Sequence, residues 1–338
     1  MRATRIDVAR LAGVSSATVS YVFNGGRYVS DKLRERVMSA AKELNYMPNL
    51  VARAMGLKHT NTLAMLLSDI ASPLQMEGVQ ETAFKHDYFV NICGGEEHLA
   101  RYIDNFIARR VDGVFISTAP HNLKDEDILR LLQMDIKVVV NAERAKGLEG
   151  LSGIETDFAD GMLQIVKHLT GLGHRNIAYV GAFDDDFAYD KRLGFFRDAA
   201  KACSVSGITV CGHKPYASDP KEGYRLAGVC LDEHPNVTAM VCTNDEMAFG
   251  AIRALSDRNL RVPQDVSVVG IDNIAMAKIC SPALTTLGCD SLRFGERIFE
   301  ILYDNIINDR TKIEYMPAKL FVRESTAPAR DKSQPKEP

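Results

Sequence analysis

The sequence lacks the patterns that would place it in a membrane or outside the cell. Its 338 residues contain no apolar run of membrane-spanning length. The N-terminus, Met-Arg-Ala-Thr-Arg-Ile-Asp, has no apolar segment behind it of the kind that a secretory signal needs. We therefore expect a cytoplasmic protein. With 46% hydrophobic and 25% charged residues it has a globular composition, and its length predicts two or three domains.

Motifs for disulfides, metals and common catalysis are also missing. The seven cysteines form no C-x-x-C pair, and their odd number and wide spacing argue against a disulfide framework or a zinc site. Buried small hydrophobic residues are the expected role for them. The eight histidines show no H-E-x-x-H spacing, and neither a nucleophile elbow nor a dinucleotide or phosphate loop is present. The sequence thus predicts no cofactor, no metal and no enzymatic activity.

A net positive charge is missing from the chain as a whole but present at one end. The net charge is −3, yet residues 1–58 hold ten Lys and Arg against four Asp and Glu, which gives +6. The rest of the chain therefore carries −9. A basic head on an acidic body is expected when only the head contacts a polyanion, although a basic run is often just a solvated face.

The basic end contains two short helical patterns separated by one glycine. Gly13 permits the positive φ that a sharp turn needs, and Ser15 can cap the second helix. The apolar residues at helical spacing are Ile6, Val8, Ala9, Leu11 and Ala12 before the turn, and Ala17, Val19 and Val22 or Phe23 after it. Such a pair forms a helix-turn-helix whose second helix can enter a DNA major groove. A helical hairpin in a larger core is the alternative.

A third helix and a short hinge are predicted next. The helix runs from about Asp31 to Leu44, with Ser30 as its cap, and its basic residues are expected to be free for solvent or phosphates: Arg34, Arg36 and Lys42. Its apolar face consists of Leu33, Val37, Ala40, Ala41 and Leu44. Pro48 ends it. A very short helix over about 50–57 would need a partner to form, either a second copy or a DNA groove.

From residue 63 onward, apolar strands alternate with amphipathic helices. The predicted strands are 63–68, 89–93, 111–116, 137–141, 177–181, 207–211, 237–242 and 266–271. The predicted helices are 76–86, 99–110, 125–134, 158–172, 190–203, 221–233 and 245–258. This alternation predicts an α/β body of two doubly wound parallel-sheet lobes, with a ligand site in the cleft between them. The polar end of the chain, from about Glu324, predicts a disordered tail.

Together these residues resemble the lactose repressor/galactose repressor (LacI/GalR) family of bacterial transcription regulators, over about residues 4–327. In the head and hinge, the resemblance rests on Asp7-Val-Ala-Arg-Leu-Ala-Gly-Val-Ser15, Ala17-Thr-Val-Ser20, Asn24-Gly25 and Tyr46-x-Pro-Asn-x-x-Ala-Arg53. In the body, it rests on Arg110-Val-Asp-Gly113, Leu172-Gly-His-Arg-x-Ile177, Asn244-Asp-Glu-Met-Ala248, Val262-Pro-x-Asp-Val-Ser-Val-Val-Gly270 and Pro282-x-Leu-Thr-Thr286.

The resemblance implies the following domains. A small all-α helix-turn-helix head spans 1–47, and a hinge helix and linker span 48–61. A two-lobed body of periplasmic-binding-protein type spans 62–327 and binds an effector and a second copy. Its N-lobe is 62–156 with 287–316, its C-lobe is 157–286 with 317–327, and a tail is expected at 328–338. The implied partners are an operator in double-stranded DNA, a small effector such as a sugar, and another copy in a homodimer or tetramer.

The resemblance also implies DNA-binding roles. Ser16, Ala17 and Tyr21 match base-reading positions, and Tyr21 stands where the family more commonly has Arg. Met55 matches an apolar wedge that kinks the minor groove, although a core Met is the alternative. Phosphate contacts are assigned to Thr18, Ser20 and Asn24. The full implied set is Thr4, Ser15, Ser16, Ala17, Thr18, Ser20, Tyr21, Asn24, Asn49, Ala52, Arg53 and Met55.

For the effector cleft, the resemblance carries over Asp157, Arg192, Asn244 and Asp272. An Arg, two carboxylates and an Asn can bind a polyol or sugar through hydrogen bonds, although salt bridges that close the lobes are the alternative. Two N-lobe segments, near Pro73 and Gly94, are shorter than the family pattern, which leaves open an atypical effector or the loss of the first lobe's contacts with it. After Arg192, the segment Gly194-Phe-Phe196 resembles the family's Arg-x-x-Gly-Phe pattern, but its glycine stands one residue early.

Two other classes compete with a ligand-responsive repressor. A sugar-binding protein of a transport system shares the body fold, but the basic head and the missing signal peptide count against it. An enzyme on a doubly wound fold has no catalytic motif to support it, and the fold alone does not imply a function.

Overall fold

The computed structural model describes residues 3–24, 27–47, 59–67, 72–94, 98–117, 123–181, 190–212 and 219–330. It divides into two units, Met1–Asn61 and Thr62–Pro338. Among the described residues, no helix is both long and apolar enough to cross a bilayer.

The described residues of the first unit form a head with three helices, α1 (Arg5–Ala12), α2 (Ser16–Asn24) and α3 (Asp31–Glu43). Thr4 begins α1 in a capping box with Asp7, and Gly13 ends it at φ 62°. The Ser15 hydroxyl accepts a hydrogen bond from the Thr18 backbone N–H at 3.0 Å, so the predicted cap of α2 is confirmed. Ser30 precedes α3, but its side chain makes no capping hydrogen bond.

The core of the head contains most of the predicted apolar residues. Val37, Ala40 and Ala41 are buried, and Leu33 and Leu44 pack against them. Ile6 and Leu11 instead remain 61% and 47% exposed. Helical spacing groups these two with the apolar stripe, but with so few helices the core covers only one side of α1.

Two arginines predicted to be free for solvent or phosphates donate hydrogen bonds within the head. Arg36 donates from Nη2 to the Ala12 carbonyl at 2.6 Å, and Arg34 donates from Nη1 to the Val22 carbonyl at 3.4 Å. Both carbonyls lie in the last turn of a helix, where C=O groups lack intrahelical partners. Both arginines are exposed, as predicted, but each also caps a helix end, so neither guanidinium is wholly free for a phosphate.

One six-stranded sheet of the body has the order β11-β5-β4-β3-β1-β2, and every pairing in it is parallel. Its strands are β1 (Thr62–Leu67), β2 (Phe89–Gly94), β3 (Gly113–Ile116), β4 (Lys137–Val140), β5 (Ser152–Thr156) and β11 (Ile313–Met316). Its helices are α4 (Pro73–Lys85), α5 (Leu99–Arg109), α6 (Asp125–Gln133), α7 (Ala142–Ala145) and α12 (Ser291–Asn308). Apolar cores lie on both faces of this sheet.

The other six-stranded sheet has the order β12-β10-β9-β8-β6-β7 and is parallel except for the antiparallel β10–β12 pair. Its strands are β6 (Asn176–Gly181), β7 (Ser206–Cys211), β8 (Ala239–Cys242), β9 (Ser267–Ile271), β10 (Thr285–Gly288) and β12 (Lys319–Phe321). Its helices are α8 (Phe158–Gly171), α9 (Arg192–Ala202), α10 (Pro220–Glu233) and α11 (Asp245–Asp257). The predicted two-lobed α/β body is confirmed.

Several elements escaped the sequence analysis or begin elsewhere. The sequence does not predict strands β5, β10, β11 and β12, which are three to five residues long, or helices α7 and α12. Helix α4 begins at Pro73, three residues before the predicted start, because proline fits the first turn of a helix.

The start of the predicted tail and the cysteines also need correction. Ser325 is buried and donates to the Val268 carbonyl at 2.6 Å, and Arg330 pairs with Asp265 at 2.6 Å. Residues 324–330 are therefore held against the second sheet despite their polarity, whereas 331–338 lie outside the described residues. Of the seven cysteines, all free, only Cys230 and Cys242 are buried, and the other five are half-buried at the margins of the cores.

Candidate functional sites

Helix α2 presents one polar face and buries the other. Val19 and Val22 are buried in the core of the head, whereas Ala17 is exposed and the other proposed contacts on the helix are half-buried: Ser16, Thr18, Ser20 and Tyr21. Ser16, Ala17, Ser20 and Tyr21 lie on one side because residues four apart on a helix are neighbours. Ser16, Ala17 and Ser20 are small and uncharged, whereas Tyr21 also packs against the core of the head.

Local hydrogen bonds already engage several hydroxyls of this surface. The Ser15 and Thr18 hydroxyls lie 2.9 Å apart. The Thr4 hydroxyl donates to Asp7 Oδ2 at 2.6 Å. These three side chains therefore fix the starts of α1 and α2. Their local hydrogen bonds hold the hydroxyls in one orientation toward any phosphate that binds there.

Tyr21 has a partner that the sequence analysis did not identify. The Arg27 guanidinium lies 5.7 Å from the centre of the Tyr21 ring, within the range of a cation–π contact. Asn24 is the last residue of α2, and its side chain is outside the described part of the chain. Asn49, Ala52, Arg53 and Met55, with the predicted hinge helix, also lie outside the described residues.

In the body, Arg192 is the centre of the second candidate site. Its Nε and Nη2 donate to the Asp190 carboxylate at 2.7–3.1 Å, and its Nη1 donates to the Thr243 carbonyl at 2.9 Å. The side chains of Arg192 and Asp190 are only 15% and 11% exposed. Although burial opposes both charges, the pairing lowers the pKa of Asp190 and raises that of Arg192.

The other predicted effector residues lie around this pair. Asp157 and Asn244 cap α8 and α11 by accepting the backbone N–H of Asp160 and Met247, at 3.1 and 2.8 Å. Arg192 touches the sequence neighbour of each, because its guanidinium lies 5.5 Å from the Phe158 ring and donates to Thr243. The structure thus brings Asp157, Arg192 and Asn244 to one region.

Asp272 follows β9 with a φ of 106°, which is unusual for a residue other than glycine. The residue is exposed, and the protein around its carboxyl raises the pKa of Asp272 while Arg192 opposes the rise. Buried Asp245 steadies this turn by accepting from the Ile274 N–H at 2.8 Å and from the Thr286 hydroxyl. Backbone strain of this kind is typical of functional sites.

Glu155 is a further acidic residue that the sequence analysis missed. It lies in β5 of the first sheet, and its buried Oε2 has no hydrogen-bond partner among the described residues. Burial and the charge of Glu143 raise the pKa of Glu155 to about 7, while Arg192 across the lobes lowers it. Neither Glu155 nor Asp190 belongs to a motif, so only the fold reveals them.

The short N-lobe segments near Pro73 and Gly94 border residues 68–71 and 95–97, which lie outside the described residues. Their effect on effector binding therefore stays a prediction. Among the residues with described positions, no group of three or more His, Cys, Asp or Glu side chains is arranged to hold a metal ion.

Comparison with known proteins assigns both units. Residues 6–49 match the family described as bacterial regulatory proteins, lacI family, and residues 166–326 match a periplasmic binding protein-like domain. The HTH-type transcriptional repressor PurR of Yersinia enterocolitica is 34% identical, covering 97% of this chain and 99% of that protein. The PurR repressor of Haemophilus influenzae strain PittEE is 30% identical over 96% of this chain and 98% of its own.

Comparison with solved structures leads to the same assignment. The lac repressor dimer bound to operator and the anti-inducer ONPF superposes with a TM-score of 0.82 at 28% identity, covering 97% of this chain and all of that one. The complex of the regulator CelR with cellobiose gives 0.68 at 27% identity, covering 96% and 100%. The chain therefore belongs to the LacI family of bacterial transcriptional regulators.

Proposed function

We propose that the chain binds a palindromic operator as a homodimer and represses transcription, and that a small effector in the cleft between its lobes modulates this binding. The observation that carries the proposal is the outward side of α2, where exposed Ala17 lies among small polar residues opposite the buried Val19 and Val22. A helix of this shape fits a major groove with little steric cost. We expect no catalytic activity.

Within this proposal, Ser16, Ala17 and Tyr21 read bases. Ala17 can make only apolar contact, for example with a thymine methyl group. Thr4, Ser15, Thr18, Ser20 and Asn24 set the register through phosphates. The hinge residues Asn49, Ala52 and Arg53 lie along the minor groove, and Met55 is the wedge.

In the cleft, Asp157, Arg192, Asn244 and Asp272 bind the effector. Their arrangement around one guanidinium, together with the bound cellobiose in the CelR relative, supports a polyol, sugar or related metabolite. The cleft lies between the two sheets, so its occupant can bias how the lobes are held and, through the hinge, how two heads are presented.

The test begins with selection of genomic DNA fragments by the purified full-length chain. Ala17→Glu should abolish binding to the selected operator, because it places a carboxylate against the bases and phosphates. Gln264→Glu is the matched control, since it adds the same charge on an exposed position of the body. Equal loss in both variants, or none in Ala17→Glu, would contradict the proposed docking of α2.

Deletion of residues 1–58 tests whether the head binds DNA while the body forms the dimer. This variant should lose operator binding yet remain a folded dimer, because the second unit has its own cores. Circular dichroism and light scattering report folding and mass, and fluorescence anisotropy reports DNA binding. Retained DNA affinity would rule out the head as the DNA-binding unit.

A further inference from the structure

The turn that follows β9 holds two consecutive residues in conformations that favour glycine. Asp272 has a φ of 106° and Asn273 has a φ of 51°. Asparagine tolerates the left-handed region, but the φ of Asp272 is unfavourable for any residue with a Cβ. Such a conformation persists only where the surrounding contacts leave the backbone no alternative. The neighbours of this turn therefore supply the constraint.

Contacts with β10 fix the path of the backbone. The Asp272 N–H donates to the Leu287 carbonyl at 2.7 Å, and the Asn273 N–H donates to the Thr286 hydroxyl at 3.2 Å. The turn lies directly on the end of this strand, since a Cβ added at Gly288 would come within 2.6 Å of the Asn273 Cβ. The backbone of the turn is thus held by β10, whereas the Asn273 side chain is held by another segment.

Arg323 holds the Asn273 side chain from a position 50 residues further along the chain. Its Nη2 donates to Asn273 Oδ1 at 2.6 Å, and its Nη1 donates to the Leu284 carbonyl at 2.6 Å. Its own backbone N–H donates to the Thr285 hydroxyl at 2.9 Å, and its guanidinium lies 5.7 Å from the centre of the Phe321 ring. Because Arg323 is fixed at both its backbone and its guanidinium, it can restrain Asn273 instead of moving with it.

We propose that Arg323 is a positioning residue of the effector cleft, which locks Asn273 and thereby keeps Asp272 in the strained conformation that presents its carboxylate. This inference rests on the proposed function, because it takes Asp272 as an effector contact. Arg323 acts through Asn273, and a forked guanidinium suits this role because it bonds the turn and the Leu284 carbonyl at the same time. A lysine would offer a single nitrogen to both acceptors.

The strain at Asp272 can be measured without an effector. Asp272→Gly and Asp272→Ala both remove the carboxylate, but only glycine adopts this φ without a Cβ penalty. In the full-length protein, Asp272→Gly should therefore unfold at a clearly higher urea concentration than Asp272→Ala, as followed by circular dichroism. The difference between the two midpoints reports how firmly the turn is held in its strained conformation.

The same pair of variants in a second background tests Arg323. In the Arg323→Met background the turn can relax, so the difference between the two midpoints should fall by about half or more. A merely structural arginine would lower both midpoints equally and leave their difference unchanged. Asn273→Ala removes the same hydrogen bond from the other side, so it takes the place of Arg323→Met if that variant does not fold.

Arg330→Met is the matched control. Arg330 lies in the same terminal segment and pairs with Asp265 at 2.6 Å, at the opposite end of β9 from the turn. Its loss should destabilise the body but leave the difference between Asp272→Gly and Asp272→Ala unchanged. An undiminished difference in Arg323→Met, an equal fall in Arg330→Met, or no difference in the otherwise unmodified protein would overturn the inference.

Sugar binding separates this inference from the proposed function. The probes are cellobiose, ribose and glucose, with calorimetry for sugar affinity and anisotropy for affinity to the selected operator. Arg323→Met should weaken sugar binding severalfold but add no further loss to Asp272→Asn, because both act through the same carboxylate. If the strain is coupled to Arg323 but no sugar alters DNA affinity, the positioning role stands and sugar-modulated repression fails. If a sugar alters DNA affinity while the strain is independent of Arg323, the regulator stands and the positioning role fails.

Discussion

Burial of Glu155 destabilises the folded body by an amount that depends on pH. Its folded pKa is raised to about 7, mainly by burial, above the ordinary value near 4.5. Below the ordinary value the folded and unfolded states both hold the proton. Between the two values only the folded state holds it, so stability falls as the pH rises toward 7.

We therefore predict that Glu155→Gln raises the melting temperature of the full-length protein by a few degrees at pH 8, and changes it little at pH 4.5. Glutamine keeps the shape and removes the charge that burial opposes. Melting curves of both proteins across this range check the prediction, and exposed Glu149→Gln serves as the control. A variant that is less stable at pH 8 would show that the charge of Glu155 is stabilising.

Tyr21 gives a prediction about DNA sequence preference. A tyrosine at this position supplies one hydroxyl and a ring, whereas arginine can pair with both acceptors of guanine. Tyr21→Arg should shift the selected operator toward guanine at one position of each half-site, by about 1–3 kcal/mol. Parallel fragment selection with both proteins measures the shift, and identical preferences would place position 21 away from the bases.

At the scale of elements, the closest helix contact in the first lobe depends on two glycines. Helices α4 and α12 cross where Gly78 faces the Leu292 carbonyl and Gly295 faces the Gln75 carbonyl. A Cβ at either glycine would collide with backbone, which cannot move without separating the helices. This crossing helps to fix α12 against the first sheet.

Gly295→Ala should therefore destabilise the body by about 3 kcal/mol, in the range of overpacked cores. Gly194→Ala is the matched control, because it lies inside α9 with open space around its Cβ. That substitution should stabilise the body by about 0.5–1 kcal/mol through helix propensity. Urea denaturation of both variants measures the difference, and equal effects would show that the crossing tolerates a methyl group.

How much of the architecture could be predicted depends on the length and polarity of each element. The head and the longer strands were predictable, because their apolar residues repeat at helical or strand spacing. Strands β5 and β10 were not, because they are short and bury the hydroxyls of Ser152, Thr285 and Thr286. Helix α12 is amphipathic over 18 residues, so helical periodicity is sufficient to predict it.

Some residues of the candidate sites could likewise be predicted from the sequence, and others could not. Arg192 and Asp272 follow from the family resemblance, and in the fold the charge of Arg192 acts on Asp272. Asp190 and Glu155 follow from no motif, since Glu155 lies in the first sheet and feels the charge of Arg192, from a helix of the second, only in the folded chain. The capping roles of Arg34 and Arg36 likewise require knowing where α1 and α2 end.

For the whole molecule, the separation of charge governs how DNA is bound. Residues 1–58 carry a net charge of +6 on a chain whose total is −3. The outward side of α2 is uncharged between Ser16 and Tyr21, so base contacts supply little electrostatic attraction. Most of the affinity should therefore come from phosphate contacts, which release counterions when they form.

Operator affinity of the full-length dimer should fall steeply with salt, with a log–log slope of about −0.9 for each phosphate contacted. Exposed Lys32, in the first turn of α3, tests where the charge acts. Lys32→Gln should weaken binding to all sequences alike and make the slope shallower, whereas Lys201→Gln, on the body, should change neither. Anisotropy titrations from about 50 to 200 mM salt measure both slopes. A flat response in the unmodified protein would mean that phosphate contacts contribute little, because attraction between a basic head and DNA cannot be independent of salt.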